Sequence, residues 1–289
     1  MKLRACLLVA SSVHCGGLTL GTPSAAAPST FWQGKRVLLA GASSGLGEAL
    51  AQALSARGAS LVLGARRSDR LAAVAAECTA AEVLPLDVTA GVEELVAKSA
   101  EAAALLGGGV DVLCYAAGVG QRTMAAETSA AAHETVMATN FEGAVALSRA
   151  LLPQMVERES GHVIVVSSVQ GFFGQPARSS YAASKAALVG YFDSVRAEVA
   201  KHGVGVTVVA PGYIATDHSA SAIGGGGVVD ANSKKGMDPT ELALMVLDAV
   251  ERGQPELIAS QVDGRVAMLL RRLWPDAFFK IMQWKGAKT

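Results

Sequence analysis

The chain lacks the features that mark a metal protein, a disulfide scaffold or a polyanion binder. Its 289 residues include four cysteines, Cys6, Cys15, Cys78 and Cys114, at spacings that fit neither a zinc site nor a disulfide framework. Cys114 falls in an apolar run and reads as a small core residue. There is no net charge, because 25 acidic residues offset 25 basic ones. No overall field therefore draws the protein to nucleic acid or to a membrane, and any membrane affinity has to be local. No apolar run has the length and continuity of a confident transmembrane helix. Internal repeats are absent, as is any domain linker after residue 31. What is present is a globular composition, 51% hydrophobic and 17% charged with 31 glycines. The length suits one large α/β domain or two small ones.

The first 30 residues contain no acid, and they open with Lys2 and Arg4 ahead of a short apolar run. Small residues around Ala25 to Ala27 follow. This resembles a targeting leader; a short membrane anchor and a plain extension are the alternatives. Residues 1–30 are set apart from a catalytic body over 31–260 and a basic, aromatic helical extension over 261–289.

From residue 35 onward, short apolar runs alternate with helical patterns. Strands are expected over 35–40, 60–64, 82–86, 110–115, 162–166, 204–210 and 256–259, with long helices over 130–158 and 179–201. Such alternation predicts a single doubly wound, Rossmann-type parallel sheet with helices on both faces. Ligands in that architecture bind outside the carboxyl ends of the strands. Several conspicuous residues fall at such ends: Gly41, Asp87 and Val88, Ala117 and Gly118, Ser168, and Pro211-Gly212.

The segment Gly41-Ala42-Ser43-Ser44-Gly45-Leu46-Gly47 sits between a strand and a helix. Gly41 permits a tight turn, Gly45 lets the backbone approach a pyrophosphate, and Gly47 lets helix and strand pack. The helix N-terminus offers N–H groups to phosphate. At the end of the second strand stand Ala65, Arg66 and Arg67. An acidic residue there would favour NAD(H), whereas guanidinium groups suit a 2′-phosphate and favour NADP(H). Asp87 either bonds the adenine end or caps the following turn. Asn140 lies within a helical pattern beside apolar Phe141, and a buried Asn there requires partners. Residues 217–237, with Gly224 to Gly227 in a row, read as a functional lid.

Tyr181 and Lys185 are four residues apart, on one face of a helix. A free phenol has a pKa of about 10, and a neighbouring cation favours the phenolate. Lys185 is placed to supply that cation. A serine pair, Ser167-Ser168, precedes the loop before them. Strand alternation sends the two hydroxyls to opposite faces. The set reads as a proton-transfer device, with a hydride carrier and a carbonyl bound beside it.

These motifs together resemble the short-chain dehydrogenase/reductase family over roughly residues 33–260. Arg66, the Tyr181 to Lys185 segment and Ala210-Pro211-Gly212-Tyr213-Ile214 resemble its dehydrogenase/reductase member 7 subgroup. That subgroup is similar to the 11β-hydroxysteroid dehydrogenases and is commonly membrane-associated. The resemblance implies that Tyr181 exchanges a proton with the substrate oxygen. It also implies that Lys185 lowers the tyrosine's pKa and bonds the nicotinamide ribose. Ser168, at thirteen residues before Tyr181, would polarise the substrate oxygen, and Asn140 would hold a water linking Lys185 to solvent. Ser43, Ser44, Leu46 and the glycines of the turn, Arg66, Arg67, Asp87, Val88, Ala117, Gly118, Pro211, Gly212, Ile214 and Thr216 would surround NADP(H). Nothing is left for a metal.

There are departures from the family pattern. Ala40 stands where the family has Thr, and Tyr115-Ala116 replaces an Asn-Asn pair, which changes how that strand end is braced. Ser44 stands where NADP-preferring members carry a basic residue, so the NADP(H) expectation leans on Arg66. The implied reaction interconverts an alcohol and a ketone or aldehyde on a lipophilic steroid, retinoid or lipid carbonyl. The alternatives are a 3-oxoacyl-thioester reductase and a non-catalytic NADP-binding regulator. The implied setting is lipid metabolism in an endomembrane or organelle compartment reached through the leader, with a homodimer or homotetramer as the assembly. The tail, with Trp274, Trp284, Phe278 and Phe279 among basic residues, suits a membrane surface, the mouth of a lipophilic pocket, or packing on the body or a second subunit.

Overall fold

The computed structural model describes residues 30–228 and 232–287. The expected leader, with Cys6 and Cys15, lies outside the described residues except for its last position, as does the final dipeptide.

Strands β1 (Arg36–Ala40), β2 (Ser60–Ala65), β3 (Ala81–Pro85), β4 (Val112–Tyr115), β5 (Gly161–Val166), β6 (Val204–Pro211) and β7 (Glu256–Ala259) form one sheet. Their spatial order is β3-β2-β1-β4-β5-β6-β7, and each neighbouring pair is parallel. The order reverses between β1 and β4, which opens a crevice there at the carboxyl ends.

Both faces of the sheet are buried, and strand alternation divides them. In β1, Val37 and Leu39 join one core while Leu38 and Ala40 join the other. In β4, Val112 and Cys114 face the first core, with Leu113 and Tyr115 facing the second. Helices α1 (Gly45–Ala56), α2 (Ser68–Ala76) and α7 (Pro239–Glu251) cover the first face. Helices α3 (Val92–Leu105), α5 (Gly143–Glu157) and α6 (Ser179–Val199) cover the second.

The single long helix expected over 130–158 is three pieces: α4 (Ala130–Met137), a π turn (Ala138–Glu142) and α5. The π turn inserts a residue into the helical ladder and contains Asn140, which is fully buried.

After β7 come α8 (Val262–Leu273) and α9 (Pro275–Gly286). Pro275 breaks the run, as its missing N–H requires, and opens α9. Phe278 is 2% exposed and packs edge-on against Phe173, with Val169 in the same cluster. The inner face of the tail is thus part of the body. Among the described residues no helix is long and apolar enough to cross a membrane.

Candidate active site

The crevice is a cavity of about 1000 Å³, at the upper end of the range for ligand pockets. Its floor is the turn between β1 and α1. Gly41 has φ +94°, and a Cβ there would stand 2.4 Å from the Ala117 nitrogen. A Cβ on Gly47 would stand 2.0 Å from the Gly41 oxygen. Only glycine lets strand, turn and helix approach this closely. The Ser44 side chain makes no capping bond to α1, so the N-terminal N–H groups face the cavity without that competitor.

Arg66, Arg67 and Arg70 line the cavity beside this turn. The structure shifts emphasis from Arg66 to Arg67. The Arg67 guanidinium donates at 2.8 Å to both the Ser43 and Ser44 hydroxyls, so it lies across the phosphate turn. Arg66 lies close enough to act electrostatically on Asp87. Burial pushes the Asp87 carboxyl up, but two hydrogen bonds from Thr89 and the charge of Arg66 outweigh it and hold the group below the usual range. Of the two roles open to Asp87, the turn is therefore formed. Val88, Ala117, Gly118, Ile214 and Thr216 also line the cavity. The Thr216 methyl lies 3.1 Å from where a Gly45 Cβ would be.

Strand β5 delivers the two serines to opposite sides. The Ser167 hydroxyl donates to the Lys185 carbonyl at 2.9 Å and braces α6. The Ser168 hydroxyl instead accepts from the Gln170 N–H at 3.2 Å and hydrogen-bonds Tyr181.

Lys185 is 4% exposed and donates to the Val166 carbonyl at 2.8 Å. Its nitrogen is 5.8 Å from the Tyr181 ring centre. Burial lowers its pKa to about 7. Burial is also the largest influence on Tyr181 and raises the phenol. The Ser168 bond and the Arg178 charge oppose this, and Tyr213 adds to it. Lys185, which the spacing suggests would lower the phenol, is not among the influences on it here; its ammonium instead donates to the Val166 carbonyl.

Asn140 accepts from the Val119 N–H at 2.7 Å and donates to the Val119 carbonyl at 3.0 Å and to Ser184 Oγ at 2.9 Å. Both donors of its side chain are committed, so the amide clamps the strand-end segment to α6. The lost Asn pair has a substitute. Tyr115 is fully buried, and its hydroxyl donates to the Thr139 carbonyl within the π turn. Gly143 leaves room for it, since a Cβ there would meet that hydroxyl at 2.6 Å.

Several residues of the site carried no sequence signal. Arg178, at the start of α6, donates to the Gln121 carbonyl at 3.1 Å and acts on both Tyr181 and His218. His218 lines the cavity while staying open to solvent. Although the residue is exposed, crowding by the surrounding protein, then the charges of Lys185 and Arg178, push its imidazole downward. Gln170 lines the cavity with a buried carbonyl oxygen that lacks a partner. A lone His in a lid, and an Arg or Gln in a loop, could have been marked only by knowing what folds onto them. The expected lid over 217–237, of which 229–231 lie outside the described residues, is fastened at Ile223 and at Met237. Ile223 pairs with Gln121, the Arg122 N–H donates to the Ile223 carbonyl at 2.8 Å, and Ile214 pairs with Met237. Among the described residues no three His, Cys, Asp or Glu side chains gather as a metal site would require.

The profile of the short chain dehydrogenase family matches residues 35–223. A Drosophila melanogaster protein named dehydrogenase/reductase SDR family protein 7-like is 40% identical over 269 residues, which is 88% of this chain and 81% of that one. A short-chain dehydrogenase from Streptomyces avermitilis superimposes with a TM-score of 0.73 at 31% identity, covering 88% of this chain and 97% of that one. A short chain dehydrogenase from Burkholderia cenocepacia J2315, solved in complex with NADP, gives 0.73 at 26% identity, covering 87% and 98%.

Proposed function

The chain belongs to the short-chain dehydrogenase/reductase family of nicotinamide-dependent oxidoreductases, and on that premise we propose that it interconverts an alcohol and a ketone or aldehyde with NADP(H), using Tyr181 as the acid and base. The observation that carries this reading is the convergence of Tyr181, its hydrogen-bond partner Ser168 and buried Lys185 at the crevice where the strand order reverses. The glycine turn, with its close backbone approach and uncapped helix, fits a pyrophosphate. Arg66 and Arg67 beside it fit a 2′-phosphate, and the Burkholderia relative was solved with NADP. When bound, NADPH supplies the hydride.

The residues of the chain handle the proton and the substrate. The Tyr181 phenol, raised by burial, is protonated at neutral pH and fit to donate to a carbonyl oxygen. The phenolate left behind is met by the Ser168 hydroxyl and by the charge of Arg178. Apolar groups on the far side, Val169, Phe173, Ile223, Ala267 and Met282, favour a lipophilic substrate. The partnerless Gln170 oxygen offers an acceptor to a substrate hydroxyl. The test is a panel of lipophilic and water-soluble carbonyls assayed with NADPH and with NADH. The reading requires turnover with NADPH, faster than with NADH and best with the lipophilic members. Absence of NADPH binding would end it.

A further inference from the structure

Between the end of β6 and the segment that follows β4, residues 215–222 run as a strap across the crevice. One end is held where the Ala215 N–H donates to the Met237 carbonyl at 2.9 Å, beside the Ile214 and Met237 bridge. The other is held where the Ile223 N–H donates to the Gly120 carbonyl at 2.9 Å. Midway, Asp217–Ser219 forms a short 3-10 turn, and the Ser221 N–H donates to the His218 carbonyl at 3.2 Å. The backbone of His218 is therefore pinned at the cavity.

Its side chain is not pinned. Among the described residues neither ring nitrogen of His218 has a hydrogen-bond partner, whereas His133 bonds Ser180 and His162 bonds Thr207. A Cβ placed on Gly118 would lie 3.5 Å from the Lys185 nitrogen and 4.0 Å from the His218 Cε1 carbon. The two side chains thus meet over one glycine, within the span of one or two bridging waters. His218 is exposed while Lys185 is only 4% exposed, so the imidazole reaches from solvent to the patch beside the buried ammonium. The Asn140 oxygen would lie 3.4 Å from the same point. Both N–H groups of that amide are committed to Val119 and Ser184, and a side chain with no free donor cannot hand a proton on.

We propose that His218 is the proton port of the site, passing a proton between solvent and Lys185 once per turnover. This rests on the reading of the cavity as a carbonyl reductase site. In reduction the carbonyl carbon takes the hydride and its oxygen takes the Tyr181 proton. The phenolate recovers a proton from the Lys185 ammonium through an intervening water. The amine recovers one from the water shared with His218. One ring nitrogen resupplies that water as the other takes a proton from solvent, and rotation of the ring restores the starting tautomer. One solvent proton is consumed for each carbonyl reduced, and oxidation runs the order backward. A neutral imidazole is fit for this because one nitrogen donates while the other accepts. Crowding and the charges of Lys185 and Arg178 favour that neutral form.

The test compares wild type with His218→Phe, which keeps the bulk of the ring, and His218→Ala, which leaves room for added imidazole. In both, kcat for an accepted carbonyl is expected to fall at least about 10-fold with NADPH affinity within about 3-fold of wild type. The solvent deuterium isotope effect is expected to rise in both, and imidazole in the buffer to restore most of the rate of His218→Ala. An unchanged rate and isotope effect would overturn the proposal. So would a loss that follows weakened NADPH binding and does not respond to imidazole, which would make His218 a lid contact only. A reading without cofactor comes from NMR titration of the His218 Cε1 proton, identified by its absence in His218→Phe. Its midpoint is expected to rise in Lys185→Met, which removes the neighbouring cation. A midpoint that stays put would place the two groups too far apart and overturn the route. That measurement also separates the proposal from the reductase reading, which fails by itself if the wild type reduces no carbonyl.

Discussion

Replacing the two arginines at the end of β2 separately tests how the chain chooses its cofactor. Arg67 bridges the Ser43 and Ser44 hydroxyls at 2.8 Å each, so its guanidinium already stands at the phosphate turn. Arg66 has no such tether and faces Asp87 electrostatically. A charge-assisted hydrogen bond to a phosphate contributes about 1.5–3 kcal/mol, roughly a 10- to 100-fold change in affinity. Arg66→Ala is expected to weaken NADPH by that factor and leave NADH within about 2-fold, since only the 2′-phosphate distinguishes them. Arg67→Ala is expected to weaken NADPH at least as much. It also weakens NADH several-fold, because the serine hydroxyls lose the group that orders them. The assay is a fluorescence titration of each reduced cofactor against wild type, both single variants and the double variant. If the ratio of the two dissociation constants stays at its wild-type value in the double variant, the argument from these arginines is refuted.

Three further outcomes follow from the interior. Tyr115→Phe leaves the Thr139 carbonyl of the π turn without its donor and is expected to cost about 1–3 kcal/mol in urea unfolding; a change near zero would mean the hydroxyl braces nothing. Gly47→Ala places a Cβ 2.0 Å from the Gly41 oxygen, so calorimetry is expected to show NADPH affinity falling more than about 10-fold as the turn is displaced. Burial lowers Lys185 to about 7 from 10.5, so between those values the folded protein holds fewer protons than the unfolded chain. Its stability contribution therefore rises with pH through that window and is most unfavourable below about 7. Lys185→Met, in urea titrations without added cofactor, is expected to gain on wild type at pH 6. The gain is capped at a few kcal/mol by about 1.4 per unit, and it shrinks as pH climbs toward 10. A pH-independent difference would contradict the burial argument.

The parts of the fold that were legible in the sequence are those where one residue type answers to one local constraint. The alternation of apolar runs and helical periods gave the parallel sheet. The glycines of 41–47 announced backbone contacts that no side chain fits. The pleat separates Ser167 from Ser168, whereas the thirteen-residue interval to Tyr181, read through the family resemblance, is what points to Ser168. What stayed hidden depends on groups far apart in the chain. The π turn at Ala138–Glu142 exists where Asn140 clamps Val119 and where Tyr115 supplies a hydroxyl, and neither partner is near in sequence. The balance on Tyr181 depends on its own burial and on the Ser168 bond and the Arg178 charge that oppose it. Arg178, Gln170 and His218 enter the site only because loops close over it. In sequence the NADP(H) expectation leans on Arg66, and the position of the two serines is what brings Arg67 forward.

The proposed reaction depends on Tyr181 as the proton donor, so the sharpest test is the rate of NADPH oxidation with an accepted carbonyl in wild type and in Tyr181→Phe, with NADPH affinity measured on both. The phenol oxygen is the only atom lost, and general acid catalysis of this kind contributes roughly 10²- to 10⁴-fold. The predicted result is a fall in kcat of at least about 100-fold with the dissociation constant of NADPH within about 3-fold of wild type. Turnover by Tyr181→Phe within about 3-fold of wild type would contradict the central claim.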